Sequence, residues 1–292
     1  MTQRPVIAPG LPVLTRPDGE LQIGLSSRHR VRIADSPVAR RTVSALVNGE
    51  DPPDPAGRRL LRDLGPALRD IGALVQPGLG GPEMAALSLR HPGTALERLA
   101  ARRRTGVRVR GDLGVDPKPL IAACGLGATP DPRRSVTLVL SQGEPDRGAL
   151  DALLRERQPH LLLRAIEGEL LLGPFVDPGR TACLRCVDAH LTEEDPLHPV
   201  LVSRAARLVA SHELMEPVDT AVATMAVGWA VRDLVRYAEG DPVSTWSATV
   251  LIGPDHVDLV PIPWRPHPAC GCGWARSADH TGADLASSTM DP

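Results

Sequence analysis

The run Gly173-Pro174-Phe175-Val176-Asp177-Pro178-Gly179-Arg180-Thr181-Ala182-Cys183-Leu184-Arg185-Cys186 ends in a C-x-x-C pair. The late segment His267-Pro268-Ala269-Cys270-Gly271-Cys272 supplies a second pair, so four of the five cysteines fall into two tight couples. In a reducing compartment, paired cysteines bind metal more often than they form disulfides. Two knuckles closing a tetrahedron on zinc, at Zn–S distances of about 2.3 Å, is the favoured reading over a redox pair or free buried thiols. Four thiolates leave no position for water, so Cys183, Cys186, Cys270 and Cys272 form a structural site. Cys124, in an apolar stretch, reads as a small buried residue.

Between and before the couples, short apolar runs alternate with helical spacing. Strands are predicted over 106–110, 136–140, 160–166 and 170–172, and helices over 93–103, 119–124, 146–157 and 219–239. Strands and helices in alternation argue for an α/β domain with a largely parallel sheet. The Gly/Pro-rich stretch 76–82 marks a boundary.

Upstream, residues 11–35 hold three turn-separated runs with period-two alternation, which suggests an antiparallel meander. Ser36-Pro37 is an N-cap followed by proline at the first helical position, and Gly49 ends that helix. Leu60, Leu61, Leu64, Leu68, Ile71 and Leu74 recur at helical spacing interrupted by Gly65-Pro66, which predicts two more helices. The first 77 residues therefore read as a winged-helix-like βββααα unit. The domains are 1–77, a linker 78–84, a second domain 85–274 and a disordered tail 275–292.

The chain has 292 residues, 33 basic against 35 acidic, and its net charge of −2 gives no footprint for a phosphate backbone. Aromatics number six (Trp 4, Tyr 1, Phe 1), too few to interleave with a basic groove, so nucleic acid is not a partner. The most apolar uncharged stretch falls far short of the ~20 residues that cross a membrane, and a cytoplasmic protein is expected.

The GPFVDPGRTACLRC segment together with HPACGC resembles the ThiF-type, ubiquitin-activating-enzyme-like proteins. More closely, it is similar to the partner proteins of YcaO-type cyclodehydratases that make azole-containing ribosomal peptides. Those partners usually begin with a PqqD-like peptide-recognition domain, which matches the pattern of residues 1–77. The resemblance implies a degenerate Rossmann-like, pseudo-adenylating second domain with the zinc knuckles, and a homodimer.

The adenylating members need a glycine-rich turn after the first strand. Here that turn is Arg110-Gly111-Asp112-Leu113-Gly114-Val115-Asp116, which lacks the G-x-G-x-x-G spacing and sets two carboxylates where phosphate would lie. The single lysine, Lys118, matches no phosphate-binding position, and ATP binding is disfavoured. No histidine pairs with a Cys or Ser in a triad pattern, so no catalytic residue is assigned. Glu193, Glu194 and Asp195 read as an acidic turn, and His267 as a residue packing beside the metal loop. Arg102, Arg103, Arg104, Arg108 and Arg110 form the one basic run.

The expectation is a non-catalytic scaffold that binds the leader of a precursor peptide and presents it to a YcaO-like or other modifying enzyme. The leader would add as a strand at Arg30, Val31, Arg32 and Ile33, with a groove wall on a third helix at Leu68, Ile71 and Leu74. The alternatives are an active ATP-dependent adenylating enzyme using Gly111 to Gly114, and a stand-alone regulatory protein.

Overall fold

In the computed structural model, which describes residues 4–75, 81–131, 133–214, 216–253, 255 and 259–272, the first strand is β1 (Val6–Ile7). The predicted meander follows as β2 (Val13–Thr15), β3 (Glu20–Ile23) and β4 (Val31–Ala34), antiparallel in the order β2-β3-β4. Helix α1 (Pro37–Asn48) starts where Ser36 Oγ accepts the Ala39 N–H at 3.1 Å, and ends at Gly49 with φ +72°.

Helix α2 (Pro55–Asp70) corrects the prediction of two helices, because it runs unbroken through Pro66. A proline inside a helix costs about 3 kcal/mol. Burying Leu64 and Leu68 against Ile23, Val43 and Leu46 offsets it, since each leucine is worth roughly 1.5–3 kcal/mol when fully buried. The expected third helix is absent from its place. Ile71 caps α2, and Leu74 lies in β5 (Leu74–Val75), which pairs antiparallel with β1.

Two further helices, α3 (Gly81–Arg90) and α4 (Ala95–Arg104), come next, and α3 overlaps the stretch read as linker. The chain divides into two compact units between Arg102 and Arg103, so α3 and most of α4 belong with the N-terminal unit. Residues 76–80 and the tail 275–292 lie outside the described residues.

The C-terminal unit contains β6 (Gly106–Arg110), α5 (Lys118–Ala123), β7 (Ser135–Gln142), α6 (Arg147–Arg155), β8 (His160–Ile166) and β9 (Glu169–Val176). It continues through α7 (Leu184–Glu194), α8 (His198–Ala210), α9 (Thr220–Glu239), β10 (Ala248–Ile252) and β11 (Ile262–Pro263). One sheet holds six strands in the order β11-β10-β9-β8-β7-β6. β6, β7 and β8 are parallel and the others antiparallel, so the sheet is mixed, with a Rossmann-like parallel half.

Strand β8 reads as a continuous apolar run because both of its faces are covered. Leu161 and Leu163 pack toward α9, whose Ala226 and Ala230 allow close approach, while Leu162 packs with Leu150 and Leu153 of α6 and Leu184 and Val187 of α7. No helix among the described residues is long and apolar enough to cross a membrane.

His160, at the start of β8, is 2% exposed, and burial holds its pKa below the ordinary histidine value. Its Nδ1 lies 3.0 Å from the Gln158 carbonyl and donates to it as the neutral ring. The unfolded chain therefore binds a proton that the folded one resists. This contribution to stability is present above about pH 6.5 and is lost as the pH falls toward the depressed folded value. Urea unfolding at a series of pH values should show that decline, and His160→Gln should flatten it.

Candidate functional site: a four-cysteine cluster and the ion-pair network behind it

Cys183 is the N-cap residue of α7, and Cys186 lies one turn along, with Cys183 O accepting the Cys186 N–H at 2.9 Å. The loop before it is fixed by Asp177 N–H donating to Thr181 Oγ1 at 2.8 Å and Ala182 N–H donating to Ser247 Oγ at 2.9 Å. The first pair is thus held on a helix start, where a turn was expected. The second pair sits on an arm anchored by β11 and by Trp264, whose Nε1–H donates to Thr249 Oγ1 at 2.9 Å.

The four thiols meet. Sγ–Sγ distances are 3.8 Å for Cys183–Cys186, 3.7 Å for Cys183–Cys270 and 3.3 Å for Cys186–Cys272. A tetrahedron with Zn–S bonds of about 2.3 Å has edges of about 3.8 Å, so the donor set and its spacing fit a closed metal site. Cys183, Cys186 and Cys270 are buried and Cys272 is half-buried. Hydrogen bonds from its neighbours hold Cys186 well below the usual thiol range and push Cys183 up, while the bond with Cys183 draws Cys270 down to about 7.

His267 packs beside this loop as expected. Its Nδ1 accepts the Ala269 N–H at 3.1 Å, so Nε2 carries the proton and donates to Glu193 Oε1 at 2.9 Å. That bond holds the Glu193 carboxyl below its ordinary value. Glu193 and Glu194 lie in the last turn of α7 and Asp195 is its C-cap residue, so this acidic group ends a helix, with α8 following.

Linked to the cysteine-bearing helix is a half-buried charge network, with Arg164 at its buried end, that the sequence reading missed. Arg164 of β8 donates to Glu144 at 2.8 and 2.9 Å. Glu144 also pairs with Arg147 at 2.7 Å, and Arg147 grips Asp188 of α7 with two bonds of 2.8 Å. The network ties the cysteine-bearing helix to α6 and to the parallel strands. A cavity of about 960 Å³ opens beside it, lined by Arg147, Arg185, Asp188, Glu193, His267 and Cys270 among others.

At the turn where adenylating members hold phosphate, two backbone donors are taken by side chains. Asp112 Oδ1 accepts the Gly114 N–H at 2.8 Å and Asp116 Oδ1 accepts the Lys118 N–H at 3.0 Å. Gly111 is needed for packing, since a Cβ there would lie 1.9 Å from Leu140 O. The adjoining cavity, about 510 Å³, is lined by Gly111, Asp112, Ser141, Gln142 and His212 among others, with no lysine or arginine among the described residues that line it.

The candidate peptide-binding residues are partly brought together. Val31, Ile33, Ile71 and Leu74 are half-buried against one core, and Arg30 and Arg32 are exposed. Leu68 is 0% exposed and belongs to the core, so it cannot line a groove. Among the described residues β4 has a strand partner on one side only. The basic run is not one patch, because Arg102 is buried and paired with Glu83 at 2.7 Å.

No family model matches the chain, and no curated protein matches it. Solved structures do. The heterocyclase TruD aligns with a TM-score of 0.62 at 15% identity, covering 92% of this chain and 43% of that one. A heterocyclase in complex with substrate and cofactor gives 0.65 at 15%, covering 93% and 39%. E. coli MccB with AMPCPP and selenomethionine MccA gives 0.53 at 10%, covering 92% and 99%. At these identities the likeness establishes the fold. The chain spans well under half the length of the two heterocyclases.

Proposed function

We propose that this chain is a non-catalytic scaffold that captures the leader of a ribosomally made precursor peptide and presents it to a modifying enzyme of the YcaO cyclodehydratase kind. The observation that carries the reading is the one-sided pairing of β4, which leaves main-chain groups for strand addition beside the half-buried Val31, Ile33, Ile71 and Leu74. Its neighbours in fold include a heterocyclase with bound substrate and MccB with MccA, which supports a peptide as the ligand. The scaffold role is supported by the Asp112 and Asp116 carboxylates, which bond the Gly114 and Lys118 N–H groups of this turn and would repel phosphates placed there.

In this reading residues 1–77 are the PqqD-like recognition domain and the remainder a pseudo-adenylating domain. Cys183, Cys186, Cys270 and Cys272 hold one structural zinc, which supplies a cross-link between α7 and the 262–272 arm. The chain acts as a homodimer in the cytoplasm.

Ile33→Asp should weaken leader binding at least about tenfold, equal to 1.4 kcal/mol, while Cys124→Ala leaves it unchanged. Fluorescence anisotropy with labelled leader peptides encoded beside the gene is the measurement. Equal affinity of wild type and Ile33→Asp would remove the strand-addition site. Peptide-dependent exchange of labelled pyrophosphate into ATP would sink the non-catalytic reading.

A further inference from the structure

We propose that an arginine-lined cavity at the N-terminal ends of β7 and β8 binds a carboxylate-rich stretch of peptide. This deepens the peptide-binding reading and rests on it for the source of the chain that brings the carboxylates. The cavity, about 450 Å³, lies wholly within the C-terminal unit, away from the cysteines and from the degraded phosphate turn. Arg133, Arg134, Arg157 and Arg180 line it together with Tyr237 and Trp246.

These arginines come from three loops: the one before β7, the one before β8 and the one after β9. Elsewhere in this unit, Arg147, Arg164 and Arg185 are each committed to a carboxylate. The Arg133, Arg134 and Arg157 side chains pair with no described residue. Arg180 bonds Asp177 at 3.1 Å, and Asp241 is the one acidic residue among those lining the cavity. Like charges gathered around one concavity repel unless an anion joins them, and the surplus here stands out in a chain of net charge −2. Arg157 is also held in the left-handed region, at φ +52°, which residues with a Cβ disfavour.

The remaining donors suit the same ligand. Burial pushes the Tyr237 hydroxyl up from its ordinary value, so it is present as a donor. Trp246 has Arg180 5.5 Å over its ring and Phe175 stacked at 6.3 Å, which leaves no open face for a nucleotide base. Guanidinium forks match carboxylates with two parallel bonds. Positive groups spread over three loops fit several separated carboxylates better than one compact phosphate.

The test is titration of fluorescein-labelled oligoglutamate into the full zinc-loaded chain, with oligoglutamine as the neutral control. Oligoglutamate should bind, weaken with salt, and lose at least about tenfold, or 1.4 kcal/mol, in the double variant Arg134→Glu, Arg157→Glu. Both arginines are exposed, so the variant should keep its fold. Arg157→Gln, which removes charge without reversing it, should lie between. The inference is overturned if oligoglutamate binds no better than oligoglutamine, if the double variant binds equally well, or if tripolyphosphate displaces the peptide at far lower concentration than unlabelled oligoglutamate does. Ile33→Asp should leave oligoglutamate binding intact. If no leader binds the wild type while oligoglutamate binding depends on the two arginines, the strand-addition reading falls and this site stands.

Discussion

If the four-cysteine cluster holds the proposed zinc, changing Cys183 or Cys270 to Ser should release it and unfold the C-terminal unit. Wild-type chain should carry one zinc, measured by elemental analysis, and a strong chelator should reproduce the loss. The size of the effect follows from where the ligands sit. Cys183 and Cys186 open α7, while Cys270 and Cys272 end an arm that returns after α8, α9, β10 and β11. Without the metal, the described contacts left to hold the arm are the short β10–β11 pairing, the Trp264 bond and packing, and the His190–Arg265 and His267–Glu193 hydrogen bonds to α7. Structural zinc in small domains contributes about 10 kcal/mol or more of apparent binding energy, which exceeds the whole stability of many domains. A metal-free preparation with an unchanged urea transition would refute the assignment.

Arg164→Met should destabilise the C-terminal unit by about 1–3 kcal/mol, because it takes two charge-assisted hydrogen bonds from the half-buried Glu144, which keeps only Arg147. Arg164 is 5% exposed and the Glu144 side chain 15%, so water replaces the lost partner only in part. Adding Glu144→Leu should recover much of that loss, since replacing both members of a buried pair with apolar groups is often neutral or stabilising. Urea unfolding followed by tryptophan fluorescence reads both, all four tryptophans being beyond residue 228. If the double variant is no more stable than Arg164→Met, the cost lies in packing and the pairing argument fails.

Much of the architecture is legible from short-range chemistry. Ser36-Pro37 and Gly49 bound α1 within a residue of the reading, and the turn-separated runs before them became the meander. The parallel strands announced themselves as apolar runs, and the two cysteine pairs as one cluster. The reading failed where a local signal was outvoted. Gly65-Pro66 is a breaker in isolation, yet Leu64 and Leu68 keep the helix going because both sides of the proline face one core. Leu68 and Leu74 share helical spacing in the text, but one is sealed in that core and the other is in a strand. Helix α8 was not read although Leu201, Ala205, Leu208 and Val209 recur at helical spacing; the structure leaves Leu201 and Leu208 exposed and buries only Val202 among its residues.

What the sequence determines by itself is whatever depends on neighbours along the chain: the caps, the turns, the buried strands, the two cysteine pairs and the carboxylates of the turn after β6. Tertiary structure alone decided that Arg147 meets Asp188 41 positions away, and that Arg164 meets Glu144 across 20. It also decided that three unpaired arginines from two loops, with Arg180 from a third, surround one cavity. Charge is a property of a residue, but pairing is a property of where the chain returns, and that return is set by burial of the apolar faces on both sides of the sheet.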